Sequence, residues 1–531
     1  MAHGGGTWVS QNKRLPGTYV NFASAVRASA TLSDRGIAAV PIALSWGPVG
    51  EVRLIENGDF QKNSFNLFGY DYTADEMLAL RELFLHATKA YVYRLAGSGH
   101  VDSDTNEIVG ADTKASCTYA EAKYPGTRGN DIRVTIAPDP DNTHYFIVRT
   151  LVGAREVDKQ SVNRFCDLVD NDWVKWIKSV TADEYVKTGD EALVPNKQYY
   201  TKEGDVYTPV QTPDVSDIGD YYEAVSVTRY YHFTQTAGTG ETGVPDTETG
   251  KQYVTPAIPA AGIAGINLAG GVDGENSAAD HQAFLAAIEP YAFNTMCCPS
   301  TSSGIISLYV TNTKHVRDDL GKKYQLVAWQ SAADYEGVIG LWSESHHETI
   351  TSAVANTALL YWLTGAEAGC LIKSTLTNSK YDGELTVDVS LSQSQLEEAM
   401  ENGRFVFHNV NGEVRVLEDI NTFVSVTKRK DTLFQMNQTI RVCDQIANDI
   451  AVLFNTIYLG KVPNNANGRS ALWNDIFVYL QELERLEAIQ NLNPDNIVCA
   501  EGSEKKAVYV MISGLNIVNA MSQLYMDVEI M

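Results

Sequence analysis

Alternation of apolar and polar positions is clearest in the last stretch of the chain. Leu524, Met526, Val528 and Ile530 fall on one side of an extended strand, and Tyr525, Asp527, Glu529 and Met531 on the other. No turn or further strand follows. The pattern therefore predicts a strand that pairs with a sheet edge, in its own domain or in another copy. A shorter pattern of the same kind stands near the start. There Thr18, Val20 and Phe22 share a face and Tyr19 points away, behind Pro16-Gly17. Pro16 cannot donate to a ladder, which suits an edge or an added strand.

Between these ends the texture changes several times. Residues 37–44 read as a buried strand closed by Trp46-Gly47-Pro48. Thr73 to Glu76 forms a capping-box pattern opening a helix through His86, and 91–95 is the next strand, so an α/β layer is expected. From about 96 the pattern becomes β, with strands at 117–124, 132–136 and 145–151, turns at Pro125-Gly126 and 138–141, and a short helix near 172–177. Residues 181–261 are rich in Thr, Gly, Pro, Tyr and acids, and lack a helical period. Lys197-Gln198-Tyr199 recurs there as Lys251-Gln252-Tyr253. This stretch reads as a β-rich surface insertion.

The α/β texture returns at the glycine-rich 268–274, followed by a helix through Phe284, Ile288 and Tyr291. Strands are predicted at 305–310 and 324–328, and a deeply buried helix at 353–362. Ser392 and Gln395 form a second capping box, and Asn411-Gly412 marks a hairpin between 404–408 and 413–417. Ile440, Cys443, Ile446, Ile450, Leu453 and Ile457 line one face of a long helix ended by Gly460, and a second runs from Ser470. The continuous apolar run 507–512 predicts a strand central in its sheet.

Length and charge narrow the function. A chain of 531 residues implies several domains. Its 66 acids against 41 Lys and Arg give a net charge of −25, which argues against nucleic acid and against anionic membrane surfaces as partners. It suits subunits kept apart by repulsion until specific contacts form. No apolar run is long enough for membrane insertion, and residues 1–6 lack a signal-peptide pattern. The seven cysteines are scattered and read as reduced thiols.

Candidate chemistry is thin, and neither cofactor nor metal is expected. His346-His347-Glu348 lacks the H-E-x-x-H spacing, and adjacent histidines point apart. Residues 270–274 precede a helix, but no Lys-Ser/Thr follows the glycines. Residues 138–142 lack the spacing of a calcium loop, and there is no G-x-S-x-G elbow. The chain is not expected to be an enzyme. Lys428-Arg429-Lys430 is a basic run in an acidic chain, either a solvated loop or a docking patch for an acidic partner.

Taken in order, these segments resemble the contractile tail sheath proteins of bacteriophages and of phage-tail-like bacteriocins and injection systems. The match runs through Pro16 to Phe22, Arg35-Gly36-Ile37, Trp46-Gly47-Pro48, Tyr93-Arg94-Leu95, Gly126 to Asn130, Leu268 to Gly274 and Ser374 to Thr377. Its most specific part is C-terminal: Glu418 to Thr422, Arg441 with Asp444, Gly460-Lys461-Val462, Asn467-Gly468-Arg469, and the closing segment from Met521. Residues 181–261 do not fit the shared pattern.

The resemblance implies an α/β (α+β multidomain) fold. A subtilisin-like α/β sheath core without a working triad would carry an inserted β-sandwich domain, the β-rich surface insertion, and a C-terminal α/β domain with strand-exchange arms. The expected division is a linking arm at 1–25, core at 26–95 and 263–403, sandwich at 96–180, insertion at 181–262, and C-terminal domain at 404–531 with its arm from about 515. It further implies a virion tail sheath, assembled in the bacterial host cytoplasm. Copies of the chain would stack as rings around an inner tail tube protein, with baseplate and tail terminator proteins at the ends, and contraction would drive the tube through the target envelope. Thr18, Tyr19, Val20, Phe22, Leu524, Met526, Val528 and Ile530 would then be inter-subunit arm residues, and Lys428, Arg429 and Lys430 an inner-tube contact. The rival readings are a bacteriocin or injection-particle sheath, a subtilisin-like hydrolase, and a glycan-binding surface protein using residues 181–261.

Overall fold

A computed structural model describes residues 32–101, 108–142, 145–188, 193, 197–204, 206–210, 221–233, 252–254, 257–259 and 261–530. The described residues form two compact units, one from 32–38, 82–88 and 293–530 and the other from 39–81 and 89–292. The chain passes from the first to the second within the strand Ile37–Ala43.

In the second unit, Val52–Glu56 pairs antiparallel with Lys89–Leu95. A four-stranded antiparallel sheet follows, in the order Ile263–Asn267, Ile132–Pro138, Phe146–Val152, Arg155–Val162. Ile132, Val134 and Ile136 are buried on alternate positions, as a sheet with one covered face requires. Four separated segments meet around one guanidinium. Arg94 donates to Leu44 O (2.6 Å), Gly47 O (2.7 Å), Asp112 (2.8 Å) and Pro125 O (2.8 Å). Beside it, Asp273 accepts from Ser45 Oγ (2.7 Å) and Thr127 N (2.9 Å). Gly126 sits at φ +120°, where a Cβ would lie 2.3 Å from Ser45 O, so the turn admits glycine alone.

The inserted region is β-rich, in the order Ser179–Lys187, Tyr222–Tyr230, Tyr199–Glu203, Val206–Val210, with Gln252–Tyr253 parallel to Tyr222–Tyr230. Its tyrosines serve one another. Tyr185 stacks on Tyr207 at 4.0 Å, with Tyr200 and Tyr222 edge-on beside them. The two tripeptides do not form equivalent sites: Tyr199 packs by Tyr221 and Tyr253 by His232, and Lys251 lies outside the described residues.

In the first unit four strands run parallel, Thr295–Cys297, Gln325–Trp329, Val338–Leu341 and Arg404–Phe405. Every residue of the middle two is buried, as expected of parallel strands covered on both faces. The helix Ser352–Gly369 is buried from Ala358 to Ala368. Its Gly365 lies so close to Leu83 that a Cβ would stand 2.2 Å from the carbonyl oxygen. The hairpin Phe407–Val410/Glu413–Val416 turns at Asn411 and Gly412, both at positive φ (53° and 88°), and the capping box at Ser392 forms. Asn437–Leu453 and Ala466–Arg485 are the two long helices.

The structure corrects several local expectations. Residues 305–310 belong to the helix Ser303–Asp318, not to a strand. Their β-branched residues suggested β, but burial of Tyr309, Thr313 and Val316 follows a helical period. The short helix near 172–177 is instead the strand Val174–Trp176, paired with Ala120–Ala122, which is all that forms of the strand 117–124. The box at Thr73 does not form. A 3-10 turn, Asp75–Met77, begins after Ala74 without a side-chain cap, and Arg81 takes the Tyr72 and Ala74 carbonyls (2.8 and 2.7 Å). Among the described residues the run 507–512 is not central in a sheet: Val508–Ile512 pairs there with Ile497–Glu501, in a two-stranded sheet.

Candidate assembly interface

The candidate interface region is built on the helix Asn437–Leu453, whose first turns carry a buried polar seam. Arg441 donates to Glu367 (2.6 Å), Asp419 (3.2 Å) and Ser374 O (2.7 Å), and Asn437 bridges the same two acids (3.1 and 2.8 Å). Burial and the neighbouring Asp419 push the Glu367 carboxyl well up. Burial would raise Asp419 too, but Arg441 and the groups donating to it hold it below the usual carboxylate range. One helical turn on, Asp444 takes a two-pronged ion pair from Arg317 (2.6 and 2.9 Å). These bonds fasten the helix to the parallel-sheet layer of the same unit.

The second long helix starts where Asn465 accepts from Gly468 N (2.9 Å). A Cβ on Gly468 would lie 2.2 Å from Pro463 O, which explains the Asn-Gly spacing there. Against this helix lies the hairpin Ile497–Glu501/Val508–Ile512, its loop pinned by Asn464 to Lys505 O (2.9 Å) and Ala507 O (2.8 Å). Cys499, Val508, Val510 and Ile512 face the helices, while Val498, Tyr509 and Met511 are exposed on the other side. Neither strand has a second neighbour among the described residues, so each presents an open edge.

Among the described residues the closing segment 521–530 forms no strand pairing, and Leu524, Met526, Val528 and Ile530 are 86%, 76%, 64% and 90% exposed. Thr18, Tyr19, Val20 and Phe22 lie outside the described residues. Lys428 and Arg429 are exposed, whereas Lys430 is half-buried and ion-paired with Glu336. Their loop is held in shape. Asp334 accepts from Val424 N (2.8 Å) and Ser425 N (2.9 Å), and Thr427 Oγ1 from Arg429 N (3.3 Å) and Lys430 N (3.0 Å). Val424, Val426 and Leu433 are exposed around it. Sequence reasoning missed Asp334, Glu336 and Gln438, which act through contacts far apart in the chain and leave no local pattern.

A mixed α/β, multidomain chain with a β-sandwich domain matches the architecture of tail sheath structures. Four domain families match it in order: tail sheath protein Gp18 domain III N-terminal region over 35–95, phage tail sheath protein beta-sandwich domain over 109–196, phage tail sheath protein central domain over 274–422, and phage tail sheath C-terminal domain over 429–531. The chain belongs to the phage tail sheath protein family, whose role is structural. It is 27% identical to the uncharacterized protein YqbK of Bacillus subtilis and 26% identical to the phage-like element PBSX protein XkdK of the same organism, each over 99% of both chains. The crystal structure of the sheath tail protein from Desulfitobacterium hafniense superposes with a TM-score of 0.68 at 27% identity, covering 97% of this chain and all of that one.

Proposed function

We propose that this chain is the repeating subunit of a contractile sheath, stacked as rings around an inner tube and linked by donated strands. One observation carries the reading: an apolar-alternating segment with no strand partner among the described residues stands in the same chain as a two-stranded sheet whose edges those residues leave open. Main-chain hydrogen bonds would join the segment to an edge of another copy's hairpin. Leu524, Met526, Val528 and Ile530 would cover the helical layer beside Val508, Val510 and Ile512. Thr18, Tyr19, Val20 and Phe22 are proposed to link at the other end. Such joints connect bodies without fixing their orientation, so contacts between bodies can rearrange while the mesh holds. The chain acts without catalysis or nucleotide, with energy stored at assembly.

The domain division given above is part of this proposal, as are the baseplate and terminator partners. So is contact of Lys428 and Arg429 with an acidic inner tube; Lys430 belongs to it only through its pairing with Glu336. The relative named as part of a phage-like element favours a second setting, a phage-like particle rather than a phage, which capsid genes beside the coding sequence would decide. Negative-stain microscopy of the purified full chain tests the central reading. Tubes or stacked rings are expected, and a monodisperse monomer under all assembly conditions contradicts it. Reversing both charges, with Lys428→Glu and Arg429→Glu, should abolish co-assembly with tube while leaving tube-free polymers intact. Unchanged tube binding rejects that contact.

A further inference from the structure

We infer that Gln438 is the anchor of the C-terminal arm, and that the arm swings from the residue after Ala520. The side chain is 3% exposed, and its amide grips the main chain on both sides of Asn519. Nε2 donates to Val518 O (3.0 Å), and Oε1 accepts from Ala520 N (3.0 Å). The second Nε2 hydrogen is used on Lys373 O (2.9 Å). A side-chain amide that bonds a carbonyl and an N–H two residues apart acts as one residue of a partner strand, and holds the backbone between them extended. Thr439 Oγ1 adds a bond to the Asn519 side chain (3.2 Å), and Val518 N reaches Ala488 O (3.1 Å).

Beyond Ala520 this hold ends abruptly. Among the described residues the hydrogen bond formed within 521–530 is local, Tyr525 to the Gln523 side chain (3.1 Å), and the side chains are exposed. A cavity of about 470 Å³ lies beside the root, lined in part by Thr375, Thr377, His408 and Met521. It leaves room for movement on one side. The residues flanking the grip are themselves fastened, because Asn437 and Arg441 tie the same helix turn to Glu367 and Asp419. A pull on the arm would therefore reach the helix Ser352–Gly369, which carries Glu367, through two buried bonds rather than through a slack tail. The boundary between fixed and free chain falls within one residue, and Gln438 sets it.

This inference rests on the strand-donation reading, and its test separates the two. Hydrogen exchange read by mass spectrometry on soluble full-length protein should show protection up to residue 520 and none from 521. In Gln438→Leu the unprotected stretch should reach back through 518–520, with exchange there about tenfold faster. Gln445→Leu is the control. It removes an equally buried amide from the same helix, bonded to Ser33 Oγ (2.6 Å) and Asp449 (2.9 Å), so it should lower the melting temperature comparably yet leave 518–520 protected. Gln438→Leu should also form fewer and shorter polymers than Gln445→Leu. Unchanged exchange at 518–520 overturns the anchor, and so does normal polymerisation with those amides released. If wild-type protein forms no polymer, strand donation fails, while the exchange data still decide the anchor.

Discussion

Two buried groups show most directly how single residues hold this protein. Arg441 neutralises Asp419 beside the un-ionised Glu367 carboxyl, in a place that excludes water. Removing one member of such a group leaves uncompensated charge, which costs about 3–5 kcal/mol. Arg441→Met should therefore lower stability by that amount in urea titrations, and more at alkaline than at acid pH, since Glu367 resists ionisation. Glu82 gives a cleaner pH signature. Burial pushes its carboxyl up to about 7, although Tyr381 OH (2.7 Å) and Glu384 N (2.6 Å) both donate to it and oppose the shift. A raised carboxyl binds its proton more tightly in the folded state than in the unfolded one. Its contribution is complete below the unfolded value near 4.5 and is lost as pH rises through 7. Wild-type protein should lose about 3 kcal/mol between pH 4.5 and 8 that Glu82→Gln keeps. Equal pH slopes for the two would contradict the assignment.

Elements explain why parts of the fold could be read from the chain and others could not. The buried parallel strands, the helix Ser352–Gly369 and the Asn411-Gly412 hairpin each carry a local signal: an unbroken apolar run, a long apolar helix, or turn residues with positive φ. The helix Ser303–Asp318 was masked because Ile305, Ile306 and Val310 favour strands in isolation, and tertiary packing overrode that preference. The hairpin strand Val508–Ile512 has the composition of a central strand, yet among the described residues it remains an edge. That difference is physically informative, since an apolar edge strand is costly unless something pairs with it. In the closing segment, consecutive backbone N–H groups point to opposite sides of a strand, so Asp527→Pro together with Val528→Pro removes one donor toward any partner. The residues are exposed, so monomer stability should change by less than about 0.5 kcal/mol. Sedimentation velocity should show polymers lost. Polymers at wild-type levels would mean that this segment does not join a ladder.

For the molecule as a whole, the sequence motifs that carried the family resemblance prove to be long-range fasteners. Trp46-Gly47, Arg94, Gly126-Thr127 and Asp273 converge in one unit, and Asp419, Arg441 and Asp444 in the other. Their order was legible in the chain, but their partners were not: spacing alone does not tell that Arg441 meets Glu367 rather than Asp444. The proposed assembly surface could be only half read. Alternation marked the segment proposed to be donated, while the open edge and the Gln438 grip depend on residues brought together by folding. Assembly by strand donation requires that residues 524–531 join copies of the chain. Deleting them from the full-length protein and imaging it by negative-stain microscopy, with circular dichroism to verify folding, is the direct test. A folded monomer that forms no tubes is the predicted result, and tubes like those of the intact chain would contradict it.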